Sequence, residues 1–236
     1  MKVVLTNDDG IEAPGLQMLH NCLKGSAQIV IVAPQQPQSG IAHRVTTRTP
    51  ITVKKTGKNS YSVNGTPADC VRIALKQIAP DADWLVAGIN PGANLGSDVY
   101  NSGTVAAARE AAILGCRSIA ISQYIAKDSE INWKITGLHA ESVLKNLMTQ
   151  ELPLSHFWNI NLPHPLEAHS KLECQFCGLD TNPHQYDFAT RGNEYIYQGS
   201  IHERPRKPGT DVAVCFDQGK IAITRIALGT PQSGHL

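Results

Sequence analysis

The chain has 236 residues, 42% of them apolar, which supports a real buried core in one large domain or one domain with an appendage. Its formal net charge of +1 leaves no basic face for a nucleic-acid polymer and no acidic tail. No apolar run approaches the roughly 20 residues that span a bilayer, and no charged-then-apolar leader opens the chain, so a cytoplasmic protein without membrane attachment is expected.

Lys2–Thr6 reads as a first strand, followed by Asn7-Asp8-Asp9-Gly10. Pro14 to Lys24 is a short helix, with Leu16, Leu19 and Leu23 at helical spacing and Gly25 closing it. Ala27–Ala33 is an apolar run suited to a parallel strand covered on both faces, and it leads into a polar loop through Ser39-Gly40. Val45–Val53 and Ser60–Val63 predict an accessory hairpin around Gly57-Lys58-Asn59. Thr66 caps and Pro67 opens a helix through Ile78. Trp84–Ala87 is a buried strand running into a long glycine- and asparagine-rich loop, Gly88 to Gly103.

Thr104–Leu114 is an alanine-rich helix ended by Gly115, Arg117–Ser122 a strand, Thr136–Met148 an amphipathic helix and Phe157–Asn161 the next strand. Residues 164–209 show no clear period. Thr210-Asp211 reads as a cap before Val212–Phe216, a run also β-branched enough to be a strand, and Lys220–Ile226 is a last strand. The alternation predicts an α/β fold: a Rossmann-like, doubly wound, mostly parallel sheet with an accessory hairpin. Residues 1–163 are expected to form the catalytic core. Residues 164–236 are expected to form an oligomerisation extension whose last elements, 210–226, return to the core. Six cysteines include a single C-x-x-C, Cys174 and Cys177, with no second such pair, so reduced thiols are expected.

In an open α/β sheet, ligands bind outside the carboxyl ends of the strands. Three segments rich in oxygen ligands follow strands here: Asp8-Asp9, the Ser39-Gly40 loop, and Gly88–Gly96 with Asn90 and Asn94. Two adjacent aspartates repel, and a hard divalent cation offsets that repulsion. Asp8 and Asp9 would supply anionic oxygens, with a serine hydroxyl and an asparagine carbonyl as neutral ones, a set suited to Mg²⁺ or Mn²⁺. A plain tight turn at Asp8-Asp9-Gly10 is the bland alternative. Ser102, Gly103 and Thr104 precede the alanine-rich helix; Ser102 or Thr104 is a helix cap, and the free amides there also suit a phosphate. Gly88–Gly96 is neither a dinucleotide fingerprint nor a Walker loop. His43 and Arg44 are solvated surface groups or phosphate neighbours. Tyr100, Tyr124 and Tyr195 are candidates for touching a base.

With these residues in view, the chain resembles the survival protein E (SurE) family of metal-dependent 5'/3'-nucleotidases. The similarity lies in Thr6–Gly10 with Ala13-Pro14-Gly15, in Ser39-Gly40, in Gly65–Cys70 and in Gly88-Ile89-Asn90 with Asn94 and Gly96. Ser102–Ala108, Asn159–Pro163, Gly209-Thr210-Asp211 and Ile223-Thr224 continue it. The resemblance implies one divalent metal ion per subunit (Mg²⁺ or Mn²⁺) on Asp8, Asp9, Ser39 and Asn90. It also implies phosphate contacts from Asn94 and the Ser102–Thr104 helix start, a nucleoside monophosphate substrate, and homodimers or homotetramers that exchange carboxy-terminal segments. The chain departs from the common family pattern at Arg109-Glu110-Ala111, where methionine-glutamate-glycine is usual, and at Arg225, where a proline often stands. The expected reaction is phosphomonoester hydrolysis by a metal-activated water, with Asp8 or Asp9 as the base. The alternatives are a covalent aspartyl-phosphate route and a non-catalytic nucleotide-sensing module.

Overall fold

The computed structural model describes residues 1–164, 172–183, 186–199 and 201–229. Its strands are β1 (Lys2–Thr6), β2 (Gln28–Pro34), β3 (Val53–Gly57), β4 (Ser60–Val63), β5 (Trp84–Pro91), β6 (Arg117–Gln123), β7 (His156–Leu162), β8 (Cys174–Phe176), β9 (Phe188–Arg191), β10 (Glu194–Tyr197) and β11 (Ile221–Ala227). Its helices are α1 (Pro14–Leu23), α2 (Pro67–Ile73), α3 (Gly103–Ile113), α4 (Trp133–Leu147) and α5 (Asp211–Phe216). One sheet runs β3-β4-β2-β1-β5-β6-β7-β11-β8. From β4 through β7 its neighbours are parallel; β3 is antiparallel to β4 and β11 to β7, while β8 runs parallel to β11. The expected doubly wound, mostly parallel α/β fold is what forms.

Both faces of the sheet are covered, and this is why its central strands are apolar without alternation. Val3 and Leu5 of β1 pack with Leu16, Leu19 and Leu23 of α1 and Ala140, Val143 and Leu144 of α4. Val4, pointing the other way, packs with Cys70 and Val71 of α2 and Ala107 and Ala111 of α3. Strand order reverses at β1, which lies between β2 and β5. The carboxyl ends of β1 and β5 thus meet at a switch point, where such sheets bind ligands.

Three segments differ from the sequence reading. The first hairpin strand is Val53–Gly57, not Val45–Val53, because Thr46 donates both its N–H (2.8 Å) and its hydroxyl (2.7 Å) to the Asp69 carboxylate, tying that stretch to the start of α2. The helix expected through Ile78 is α-helical only to Ile73, and residues 74–78 widen to a π turn closed by Ala79 N–H on Ala74 O at 2.8 Å. The loop expected from Gly88 begins later. After a register shift, β5 resumes pairing, with Asn90 opposite Ser122 and Pro91 opposite Gln123, so Asn90 is held by the sheet. The ambiguous Val212–Phe216 run is the helix α5.

Gly15 shows how closely α1 crosses β5: a Cβ there would lie 1.9 Å from the carbonyl oxygen of Ile89. Gly15→Ala is expected to cost about 3 kcal/mol, the upper end of overpacking, because a sheet carbonyl cannot step aside. Denaturant unfolding measures it, and a cost within error of zero would contradict this packing.

Candidate active site

A cleft of about 270 Å³ opens at the switch point, lined by Asp8, Asp9, Ser39, Gly40, Asn90, Pro91, Asn94, Asp98, Asn101 and Ser102. Six of the eight residues singled out from sequence thus share one lining. The other two, Gly103 and Thr104, sit behind Asp8. A Cβ at Gly103 would fall 2.8 Å from the Asp8 Cβ, so only glycine lets α3 approach β1 this closely. The fully buried Thr104 donates its hydroxyl to Asp8 Oδ1. Ser102 is the helix cap, accepting from Val105 N–H at 3.1 Å.

Each side chain is set by local bonds. Asn7 donates its amide to Gly10 O at 2.9 Å, folding the turn that carries the two aspartates. Gln38 N–H donates to Asp8 O at 2.7 Å, bringing the Ser39 loop to β1. Asn90 donates its amide nitrogen to Gly92 O at 2.7 Å, leaving its carbonyl oxygen as the group available to a ligand. Asn94 donates one amide hydrogen to Ser122 Oγ at 2.8 Å and keeps another.

The electrostatics of the aspartates are unfavourable as they stand. Burial pushes the Asp8 carboxyl above the usual range, with the Thr104 hydrogen bond opposing it. Asp9 is pushed up to about 7, first by burial and then by the charge of Asp8. Asp9 Oδ2 is buried without any hydrogen-bond partner, a costly arrangement unless a cation satisfies it. Among the described residues there is no cluster of three or more His, Cys, Asp or Glu side chains able to cage a metal. The donors on offer are two carboxylates and neutral oxygens, which fits a hard divalent ion and not zinc or copper.

Stability should register this. The folded chain holds on to an Asp9 proton that the unfolded chain releases near 3.8. Stability of the metal-free protein therefore falls as pH rises from about 4 to about 7. Asp9→Asn is expected to flatten that fall and to raise the metal-free melting temperature at pH 7.5 by about 3 °C. Thermal scans across pH test it, and an unchanged profile would count against the buried, unpartnered carboxylate.

Several supporting residues were not legible beforehand. Asn159 and Asn161 of β7 donate their amides to Asn94 O at 2.9 and 3.0 Å, and Asn161 Oδ1 accepts Asn94 N–H at 2.8 Å. Two asparagines two positions apart on an apolar strand share a face, and their poor fit to strands was the available signal. Asp98 adds a third carboxylate to the lining and accepts Arg204 Nη1 at 2.5 Å. Asp211 of α5 accepts Gly96 N–H at 2.7 Å and Asp180 N–H at 2.8 Å.

Known proteins share this architecture. The family model described as "Survival protein SurE" matches residues 3–185. A protein of Synechocystis sp. (strain ATCC 27184 / PCC 6803 / Kazusa) is 47% identical over 96% of this chain and 99% of its own length. The 5'-nucleotidase SurE of Allorhizobium ampelinum is 36% identical over 97% of this chain and 92% of its own. The crystal structure of the SurE protein from Aquifex aeolicus superposes with a TM-score of 0.87 at 28% identity, covering 98% of this chain and 95% of that one. With paired aspartates at the tip of β1 and a sheet of this order, the chain belongs to the SurE family.

Proposed function

We propose that the chain is a phosphatase that hydrolyses nucleoside 5'- and 3'-monophosphates with one bound Mg²⁺ or Mn²⁺ per subunit. The observation that carries this is the pairing of buried Asp8 with half-buried Asp9, whose Oδ2 is buried and orphaned, in one cleft with neutral oxygens. The 5'-nucleotidase names of its relatives support the substrate class. Asp8, Asp9, Ser39 and Asn90 would hold the ion. When bound, it supplies charge neutralisation at phosphate and a lowered pKa for the attacking water.

The protein's own groups do the rest. Thr104 fixes Asp8 Oδ1, which leaves Asp8 Oδ2 and the Asp9 carboxylate to face the cleft and take the water's proton. The second amide hydrogen of Asn94 and the hydroxyl hydrogen of Ser102 donate to phosphate oxygens, while the α3 terminus adds its positive dipole. Subunits are read as homodimers or homotetramers joined through the 164–236 extension, whose β9–β10 hairpin exposes Phe188, Tyr195 and Tyr197; light scattering after gel filtration reports the size. No helix among the described residues is long and apolar enough to cross a membrane, in keeping with a cytoplasmic enzyme.

The direct test is phosphate release from a nucleoside monophosphate with Mn²⁺, with Mg²⁺ and with chelator. Turnover only with metal is expected; a folded protein silent under every metal would favour a sensor. With a phosphate ester made chiral at phosphorus, a single in-line attack by water is expected to invert the configuration, and net retention would replace this route by a covalent one.

A further inference from the structure

Arg109 stands where the common family motif has methionine, and its surroundings give it a use. It lies nearly two turns into α3, whose start borders the cleft at Ser102. Its Nη2 donates to Val99 O at 2.8 Å, its Nη1 is 3.5 Å from His43 Nδ1, and its guanidinium carbon is 5.8 Å from the centre of the Tyr100 ring. His43 is held from the other side, with Nε2 2.7 Å from Glu110 Oε2. The other Glu110 oxygen takes Arg72 Nε at 2.5 Å. Glu110 is nearly fully buried and both its oxygens are occupied, so His43 has a fixed place.

Tyr100 is the outermost member of this chain of contacts. The residue is 65% exposed, and the cleft is lined by Asn101, which follows it, and by Asp98, two positions before it. Asn101 is further pinned by Ala42 N–H on its carbonyl at 3.1 Å. The result is an exposed aromatic ring next to the cleft-lining Asp98 and Asn101, with the Arg109 guanidinium over one face and the residue otherwise largely open to solvent. The other two tyrosines considered for base contact are placed differently. Tyr124 stacks on Phe216 at 4.1 Å, and Tyr195 lies on the β9–β10 hairpin.

We propose that Tyr100 is the platform on which the nucleobase stacks, with Arg109 and the Glu110–His43 pair as the positioning groups that hold it at the cleft rim. The proposal rests on the phosphatase reading of the cleft and adds the substrate's other end. A phosphate seated among Asn94, Ser102 and the aspartates leaves the nucleoside directed outward, past Asn101. Ring stacking is tolerant of base identity but grows with π surface, so nucleotides are preferred to base-free phosphate esters and purines to pyrimidines. The Arg109 guanidinium over one face holds the ring through cation–π attraction and leaves the opposite face for a base.

The test is the ratio of kcat/KM for adenosine 5'-monophosphate to that for ribose 5-phosphate. In Tyr100→Ala this ratio is expected to fall about tenfold, through KM, the loss of one base–aromatic stack. Tyr100→Phe should keep it. Arg109→Met should lower it by a smaller factor, and Arg109→Lys should restore it. A Tyr100→Ala ratio within about twofold of wild type, or a Phe variant as weak as Ala, overturns the platform. If the wild type hydrolyses neither ester, the phosphatase reading falls on that result alone. The platform is then judged by calorimetric affinity for adenosine 5'-monophosphate in wild type against Tyr100→Ala, with the same thresholds.

Discussion

Asp8→Asn is expected to abolish phosphate release while the protein stays folded. Changes to groups that merely orient metal ligands typically cost 10- to 100-fold in affinity or activity. If Asp8 is one of the two anionic ligands proposed above, its loss should exceed that, and a fall in kcat of about 1000-fold or more is expected. The fold has reasons to tolerate the change. The amide keeps an oxygen where Thr104 can still donate, and it removes a charge whose carboxyl burial already pushes upward. Circular dichroism and melting temperature should therefore match or exceed the wild type without metal. The Mn²⁺-induced rise in melting temperature should vanish, since mass action stabilises only a state that binds. Near-wild-type turnover in Asp8→Asn would remove this residue from the site.

The second large effect is expected far away in sequence. Asp211 is fully buried, and its carboxylate accepts the N–H groups of Gly96, Asp180 and Val212. Asp211→Ala strands buried donors at about 1–3 kcal/mol each, so a loss of about 3–5 kcal/mol is expected. For a chain of this size that lowers the melting temperature by about 10 °C. The loop at Gly96 would also lose its anchor beside Asn94 and Asp98, so kcat/KM should drop well beyond the stability effect at a temperature where the variant is folded. Asp211→Asn, which keeps one acceptor, should fall between. An Asp211→Ala protein with wild-type melting and kinetics would show that α5 does not support the cleft.

Glu110 bears on the same side of α3. Burial alone would raise its carboxyl, but hydrogen bonds from His43 and Arg72 outweigh that and hold it below the usual range. A carboxylate depressed in this way adds stability above about pH 4 that is lost as pH falls further. The alanine-rich run that reads as an unremarkable helix thus carries one charged edge of consequence.

How much of this was legible follows from the range over which each feature is encoded. Apolar runs such as Val3-Val4-Leu5 announce buried strands locally, and the Thr66-Pro67 cap announces α2. Val45–Val53 misled because its threonines suit a strand, while Thr46 instead satisfies Asp69, 23 residues away. Asn90 was read onto a loop because glycine at 88 suggests a break, yet pairing resumes beyond the irregularity. Asp8, Asp9, Ser39 and Asn90 could be grouped because each follows a strand and the strands are parallel. Asn159, Asn161, Arg204 and Asp211 carry no local pattern that names their partners. Those partners are set only when β7, β11 and α5 take their places against the sheet.

The clasp of Arg204 and Asp211 on Leu95, Gly96 and Asp98 also has a consequence for the birth of the protein. Asp211 and Gly96 are 115 residues apart. A chain leaves the ribosome amino end first and begins folding in that order. The aspartate turn and the strands around it can form early, but the wall of the cleft gains these anchors only after Arg204 and Asp211 have been made. A chain stopped before Arg204 lacks both anchors, and its cleft wall is expected to be held less firmly than in the chain that carries them.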